Sequence, residues 1–338
     1  MPKVLALVHG MGVNGDGWAR PVVAALNAAA RRYEEFRDAP PIFLLARDAN
    51  DTSVVPSPDQ VLCVPCSYDA ELRARVESFQ RDVTAVLDAP GVTLPGDVRT
   101  VLGKLKTAGE TEQNAFWTHV VDVLLYRYFA LVTKQVRVAV MDSLAALLAR
   151  PDVELSVMAH SLGTAVAHDA LATMARGLVP ELGALRPPGV RIANLFMVAN
   201  VSRILEKALD GDQDVFESPV CPVSVRGDDA YLGAYVNLRH MLDPFPVPRR
   251  FEPQWAGRDF VAIDRLLHVS EFDVHGWTHY LANPEVHIPV PRRVAKQLET
   301  KPTVAQLILG GVQYYAAVQA ARKLCGVLDT AGPLGGIA

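Results

Sequence analysis

The sequence predicts an α/β protein in which a mostly parallel, doubly wound sheet of about six strands carries an inserted helical cap. Short apolar runs rich in β-branched residues alternate with longer stretches of helical spacing along most of the 338 residues. Half of the residues are hydrophobic and 21% are charged, which is enough for a large core. Strands separated by helices form right-handed β-α-β units, and such units build a parallel sheet.

In the first half of the chain, short β-branched and aliphatic runs bounded by glycine, proline or polar loops predict strands. They lie at residues 3–8 and 60–66, with a strand or an extended linker at 40–45. Helical spacing of apolar residues predicts helices at 18–32 and 70–87.

Residues 112–150 form the longest helical stretch, and they are apolar on most sides. Charged residues such as Asp122, Arg127 and Lys134 interrupt the stretch too often for a membrane span, so no transmembrane segment is expected. The stretch is either a helix buried against the sheet or a cap over an apolar pocket.

In the second half, a proline ends this stretch, and strands alternate with one clear helix. Strands are predicted at 154–158, 191–199, 234–241 and 266–274, and helices at 163–176 and 304–328. We expect one α/β domain over residues 1–300, with 97–150 as the helical insertion or cap. Residues 301–338 would pack on the same domain as a C-terminal helix.

Charge and cysteine content narrow the classes of function. The formal net charge is -4 and no basic cluster interleaved with aromatic residues is present, which argues against nucleic acid as a partner. The N-terminus lacks the features of a signal peptide, so we expect a cytoplasmic protein. Cys63 and Cys66 form a CxxC without a second pair or nearby histidines, which favours buried thiols over a redox or metal site.

The segment VMAHSLGTAV at residues 157–166 is the strongest indication of chemistry. A strand meets Ser161 between small residues, Ala159 and Gly163, and a helix follows, as a sharp strand-to-helix turn requires. This turn would place Ser161 at a helix N-terminus, where the backbone N–H of Leu162 is free. The alternative is a serine that only caps the helix.

The longer segment VELSVMAHSLGTAVAHDAL resembles the nucleophile elbow of the α/β-hydrolase superfamily, in its serine esterase and lipase branches. Residues 4–12, VLALVHGMG, similarly resemble the oxyanion loop of that superfamily. The resemblance implies a minimal α/β-hydrolase fold, with Gly10 allowing the turn. It implies an oxyanion hole formed by the backbone N–H groups of Met11 and Leu162, and a structural role for His9. His160, beside the serine, would point away from the substrate.

The superfamily order, nucleophile then acid then histidine, directs the search for the remaining residues. Asp243 follows a predicted strand and precedes Pro-Phe-Pro, a pattern similar to the acid loop of lipase-like hydrolases. Three aspartates after the preceding strand compete with it but lie in a polar loop that looks solvated: Asp210, Asp212 and Asp214.

Two histidines could complete the triad, and they follow the last predicted strand. His279 precedes a tyrosine and an Asn-Pro pair, as in similar hydrolases, and is the preferred candidate. His275 lies closer to the strand end and is the alternative.

These residues predict a serine hydrolase that cleaves carboxylic esters through an acyl-enzyme, with a small-molecule or lipid ester as substrate. The apolar stretch before the nucleophile strand favours acyl or lipid-like esters. A thioesterase or amidase on the same scaffold, and a non-catalytic binding protein with this fold, are the alternatives. No metal or organic cofactor is expected, and the sequence does not indicate an oligomeric state.

Overall fold

The computed structural model describes about half of the chain. The described residues are 2–10, 15, 17–31, 36–88, 96, 130–150, 153–175, 192–202, 232–243, 245–246, 251, 260–266, 275–283 and 286. Among the predicted features that lie outside them are residues 97–129 of the insertion, the C-terminal helix at 304–328, and the division at residue 300.

The chain alternates strands and helices, as the sequence predicts. The strands are β1 (Lys3–Val8), β2 (Phe43–Leu45), β3 (Val61–Pro65), β4 (Glu154–His160), β5 (Ile192–Val198), β6 (Leu232–His240) and β7 (Phe260–Leu266). The helices are α1 (Ala19–Ala30), α2 (Asp69–Asp88), α3 (Ala130–Leu148), α4 (Leu162–Ala175) and α5 (Trp277–Ala282).

The strands form one sheet of seven, in the order β2-β3-β1-β4-β5-β6-β7, and every neighbouring pair is parallel. The expectation of a mostly parallel α/β sheet is therefore confirmed. The count exceeds the predicted six because residues 43–45, predicted as either a strand or a linker, form the edge strand β2. The side chain of Asn27 in α1 holds this strand, since it accepts the N–H groups of Ile42 and Phe43 at 3.0 Å.

Helices cover both faces of the sheet, which explains the continuous apolar runs of the inner strands. In β1, Val4, Ala6 and Val8 join the core that contains α3 and α4, whereas Leu5 and Leu7 join the core that contains α1 and α5. Residues of these four helices thus remove alternate strand side chains from water.

Helix α3, in the described part of the predicted insertion, is buried in the core. Val136, Val140, Met141, Leu144 and Leu147 are fully buried in the same core as α4. Of the two alternatives for residues 112–150, the described part takes the buried one. No helix among the described residues has both the length and the hydropathy to cross a membrane.

The last strand differs from its prediction. β7 spans Phe260–Leu266, where the sequence predicts a strand at 266–274. Pairing with β6 fixes the position of β7, since Tyr235 of β6 lies opposite Phe260 and Leu238 lies opposite Ile263. Residues 267–274 lie outside the described part of the chain.

The two described cysteines are buried thiols on opposite faces of the sheet, which confirms that prediction. Cys63 belongs to the core with α1, and Cys66 belongs to the core with α3. Burial raises the pKa of Cys66 to about 12 and the pKa of Cys63 further above its usual range. Neither thiol has the thiolate character that redox or metal chemistry needs.

The topological switch point of the sheet lies between β1 and β4, because the connections after these two strands lead toward opposite edges. From β1 the chain runs through α1 to β2 and β3 on one side, and from β4 it runs through α4 to β5 on the other. In open parallel sheets, ligands bind outside the carboxyl ends of the strands at such a switch point. The loops after β1 and β4 are therefore the place to look for a site.

Candidate active site

Ser161 alone forms the turn between β4 and α4. Its φ angle is 52°, in the left-handed region that side-chain-bearing residues rarely adopt. Hydrogen bonds hold this conformation: the Ser161 N–H donates to the Val198 carbonyl at 3.0 Å, and Thr164 donates its N–H and its hydroxyl to the Ser161 carbonyl. Such a conformation costs about 1–3 kcal/mol and concentrates at functional sites. The serine is thus held in a strained turn by its surroundings.

The residues flanking this turn are small because backbone passes close to them. A Cβ on Gly163 would collide with the carbonyl oxygens of His9 and Val8. A Cβ on Gly10 would lie 2.8 Å from the Ser161 Cβ and 2.9 Å from Nδ1 of His160. The two glycines therefore bring the loop after β1 against the serine turn.

His275 joins the serine to the acid. Its Nε2 lies 2.7 Å from the Ser161 hydroxyl and its Nδ1 lies 2.8 Å from Oδ2 of Asp243. Because a carboxylate accepts, Nδ1 carries the proton and Nε2 is the acceptor that faces the serine hydroxyl. The three side chains form the serine–histidine–aspartate arrangement of serine hydrolases.

The preference for His279 is corrected by this geometry. Helix α5 begins at Trp277, so His275 precedes the helix, whereas His279 lies within it. The His279 ring packs edge-on against the ring of His240, with centroids 4.9 Å apart. The alternative candidate, His275, lies between Ser161 and Asp243.

Asp243 is fully buried, three residues beyond the end of β6, and its carboxylate accepts three hydrogen bonds. His275 and the hydroxyl of Tyr280 both donate to Oδ2, and the backbone N–H of Phe245 donates to Oδ1 at 3.0 Å. The competing acids Asp210, Asp212 and Asp214 lie outside the described residues.

His160 contacts the segment that carries His275. Its Nε2 lies 2.6 Å from the backbone carbonyl of His275, to which it donates. Its ring stacks on Trp277, with centroids 4.7 Å apart. The residue before the serine therefore fixes the loop from which the His275 side chain extends.

The loop after β1 is held by His9 and Tyr68. The His9 ring is fully buried, and burial lowers its pKa to about 4, although its bond to Gly10 opposes this. Its Nδ1–H donates to the Gly10 carbonyl, and its Nε2 accepts the N–H of Tyr68 at 3.3 Å. The Tyr68 hydroxyl donates to the His9 carbonyl at 2.8 Å. The neutral His9 ring is structural in this arrangement.

One of the two expected oxyanion donors can be placed. Leu162 is the first residue of α4, so its N–H belongs to the first turn, where backbone N–H groups have no acceptor within the helix. Met11 lies outside the described residues. The helix N-terminus beside Ser161 favours negative charge at that position.

A cleft of about 1100 Å³ opens at the same edge of the sheet, on the side of β2 and β3. Trp18 at the start of α1 forms part of its wall and stands edge-on to the His9 ring, with centroids 5.0 Å apart. Charged side chains, among them Arg20, Arg47 and Glu77, give the cleft a mixed polar lining. Ser161 and His275 are not among the described residues that line this cleft.

Sequence reasoning missed several residues that shape the site. Tyr280 follows His275 by five residues, and in the sequence it indicates only that a histidine lies nearby. Tyr68 carries no local signal, because its contacts with His9 span 59 residues of sequence. Thr164 is visible only as a helix residue, although its hydroxyl also accepts the N–H of Val201.

Comparison of the chain with protein-family models, with curated proteins and with solved structures gives no match in any of the three. The functional inference therefore depends on the site geometry together with the sequence motifs.

Proposed function

We propose that this protein is a serine hydrolase of carboxylic esters, with Ser161 as nucleophile, His275 as general base and Asp243 as the acid that orients the histidine. The observation that carries the proposal is the continuous chain of contacts from Asp243 through His275 to a serine in a strained turn. A serine that only caps a helix needs neither a histidine acceptor nor a positive φ.

The geometry suits nucleophilic catalysis in both steps. Nε2 of His275 takes the Ser161 hydroxyl proton while Oγ attacks the acyl carbon, and the imidazolium that forms is stabilised by Asp243. The same histidine then protonates the leaving oxygen, which leaves an acyl-enzyme. Water activated by His275 attacks the acyl carbon, releases the carboxylic acid and restores the serine.

The charge on the carbonyl oxygen in the tetrahedral intermediate falls next to the N-terminus of α4. In the proposal, the Leu162 N–H is one donor to this oxygen and the N–H of Met11 is the other. A preorganised donor of this kind contributes about 3 kcal/mol to stabilising the transition state.

The assignment to the α/β-hydrolase superfamily is part of the proposal. Its support is the parallel sheet, the strand–serine–helix turn after β4, and the order Ser161, Asp243, His275 along the chain. The switch point between β1 and β4 brings the His9–Gly10 loop to this turn, as the superfamily requires of its oxyanion loop.

The proposed substrate class, acyl or lipid-like esters, depends on residues 112–129. Helix α3, the described remainder of that apolar stretch, is buried in the core. The acyl preference is therefore a separate question from the chemistry.

Labelling with a fluorophosphonate probe tests the proposed function. We expect the wild-type protein to be labelled under native conditions, with the adduct on Ser161, and the Ser161→Ala variant to remain unlabelled. An unlabelled wild-type protein that is folded by circular dichroism would refute the proposal and leave the non-catalytic binding protein.

A panel of esters with increasing acyl length then defines the substrate, with thioesters and amides of the same acyl groups beside it. We expect hydrolysis of oxygen esters, absent in Ser161→Ala. Much faster cleavage of short, water-soluble esters than of long acyl chains would exclude the lipid-like class while leaving the ester hydrolase in place.

A further inference from the structure

One carboxylate oxygen of Asp243 serves two donors. Oδ2 accepts Nδ1–H of His275 at 2.8 Å and the hydroxyl of Tyr280 at 2.7 Å. The Tyr280 hydroxyl in turn accepts the backbone N–H of His240 at 2.9 Å. The side chains of Tyr280 and Asp243 are fully buried, so these bonds form away from bulk water.

We propose that Tyr280 is a positioning residue for the hydrolytic reaction: its hydroxyl holds Oδ2 of Asp243 against His275 and reduces the negative charge that the imidazole experiences. The catalytic part of this inference rests on the proposed function, whereas the effect on His275 does not. Tyr280 touches neither substrate nor reacting atoms in this role.

The position of Tyr280 explains how it acts on two segments at once. It lies in α5, which begins two residues after His275, and its hydroxyl bonds to Asp243 and to the end of β6. Tyr280 therefore ties the segment that carries the histidine to the segment that carries the acid. The Phe245 N–H fixes the other carboxylate oxygen, so the carboxyl plane is held at both oxygens.

The hydroxyl remains a donor throughout any practical assay. Burial, reinforced by the negative charge of Asp243, raises the pKa of Tyr280 far above its ordinary value. A hydrogen bond donated to a charged carboxylate partly neutralises its negative charge. The carboxylate then stabilises a neighbouring imidazolium less. Loss of the hydroxyl should therefore raise the pKa of His275.

Other titratable and charged groups surround the pair and must remain constant in the test. From β4, His160 faces both Tyr280 and His275; from β6, His240 and Arg239 face Tyr280; and His279 neighbours it in α5. Helix α1, which also packs against α5, contributes apolar residues to the core around Tyr280. A variant that removes one hydroxyl leaves all of these groups in place.

The test compares Tyr280→Phe with Tyr235→Phe. Tyr235 is equally buried, and its hydroxyl accepts a hydrogen bond from Asn200 outside the triad, so it is a matched control. Per molecule labelled at Ser161, we expect Tyr280→Phe to lower kcat about 10-fold with little change in KM. The acidic limb of its kcat/KM profile should move to higher pH by about 0.5 or more. Tyr235→Phe should leave both unchanged.

A second measurement needs no substrate. Nuclear magnetic resonance titration of the histidine side-chain nitrogens, with His275→Gln for assignment, gives the pKa of His275 in each protein. We expect a higher value in Tyr280→Phe than in wild type, and none of this change in Tyr235→Phe.

The outcomes separate the two proposals. If the wild-type protein is neither labelled nor active, the proposed function fails, and the His275 titration alone decides whether Tyr280 acts on the Asp243–His275 pair. If Tyr280→Phe retains the wild-type His275 pKa and the wild-type kcat, the role of Tyr280 is overturned. A loss of kcat with an unmoved pKa also overturns it, because a purely structural role gives that result.

Discussion

Acid should destabilise this fold through His9, at the end of β1. The ring is fully buried, and burial lowers its pKa from 6.5 to about 4. Between these values the unfolded chain binds a proton that the folded protein does not bind. The free energy of unfolding therefore falls as the pH falls through this range.

The size of the effect follows from the two pKa values. They differ by about 2.5, and each unit corresponds to about 1.4 kcal/mol. The His9 contribution is fully present above pH 6.5, has fallen by ~2 kcal/mol at pH 5, and has fallen by ~3 kcal/mol near pH 4. Against a total stability of about 5–15 kcal/mol, this loss is large.

The variant His9→Gln isolates this contribution. Glutamine cannot titrate, and its side-chain oxygen can still accept the N–H of Tyr68, as Nε2 does in the wild type. Urea unfolding at several pH values, followed by fluorescence and circular dichroism together, measures both proteins. We expect the wild type to be more stable at pH 8 and to lose ~2 kcal/mol of that advantage by pH 5. A constant difference between the two proteins from pH 8 to pH 5 would show that His9 is not buried in its neutral form.

Two further predictions concern the serine turn and the catalytic histidine. His275→Gln should lower kcat by about 10⁴-fold, whereas His279→Gln, outside the triad, should keep most of the activity of the folded protein. Steady-state kinetics of both variants on the same ester measures the difference. A larger loss in His279→Gln than in His275→Gln would exclude the assignment of His275. Gly163→Ala should destabilise the protein by about 1–3 kcal/mol and slow fluorophosphonate labelling, because the new Cβ meets two backbone carbonyls. The control variant, Ala159→Gly, should lower the free energy of unfolding by about 1 kcal/mol and keep the wild-type labelling rate. Labelling rates and thermal unfolding are measured for both variants. Equal labelling rates in the two would count against a close approach of the loops after β1 and β4.

The strands that the sequence predicts well are those buried on both faces. β1 is apolar from Val4 to Val8, and β4 is mostly apolar, because every side chain along the two strands except that of Glu154 is buried. β7 is misplaced because apolar residues lie both at 260–266 and at 266–274, and only pairing with β6 selects between them. Pairing joins residues distant in the sequence, so local patterns carry no information about it.

The same limit applies to the two candidate histidines. His275 and His279 are separated by one helical turn, and both lie near a tyrosine and beyond a strand. Local spacing favours His279, but the site requires a ring between Ser161 and Asp243, and helix α5 directs His279 toward His240 instead. Ser161 and Asp243 were predictable because each lies within three residues of a strand end, whereas the position of His275 depends on where a loop meets two strands.

In the segment AHSLG, residues 159–163, alanine occupies the place of the first glycine in the usual G-x-S-x-G pattern. The two small positions around Ser161 give a physical explanation. They are not equivalent: Gly163 lies against the backbone carbonyls of the loop after β1, whereas Ala159 is the penultimate residue of β4 and its methyl group is buried in the core with α3 and α4. The carbonyl oxygens of His9 and Val8 cannot move without displacing the His9–Gly10 loop. The methyl group of Ala159, in contrast, packs among apolar side chains in the core. A motif search that demands glycine at both positions would therefore reject this turn for a residue that the structure accommodates. The close approach of the loops makes glycine indispensable only at the second position, and Gly163 is present there.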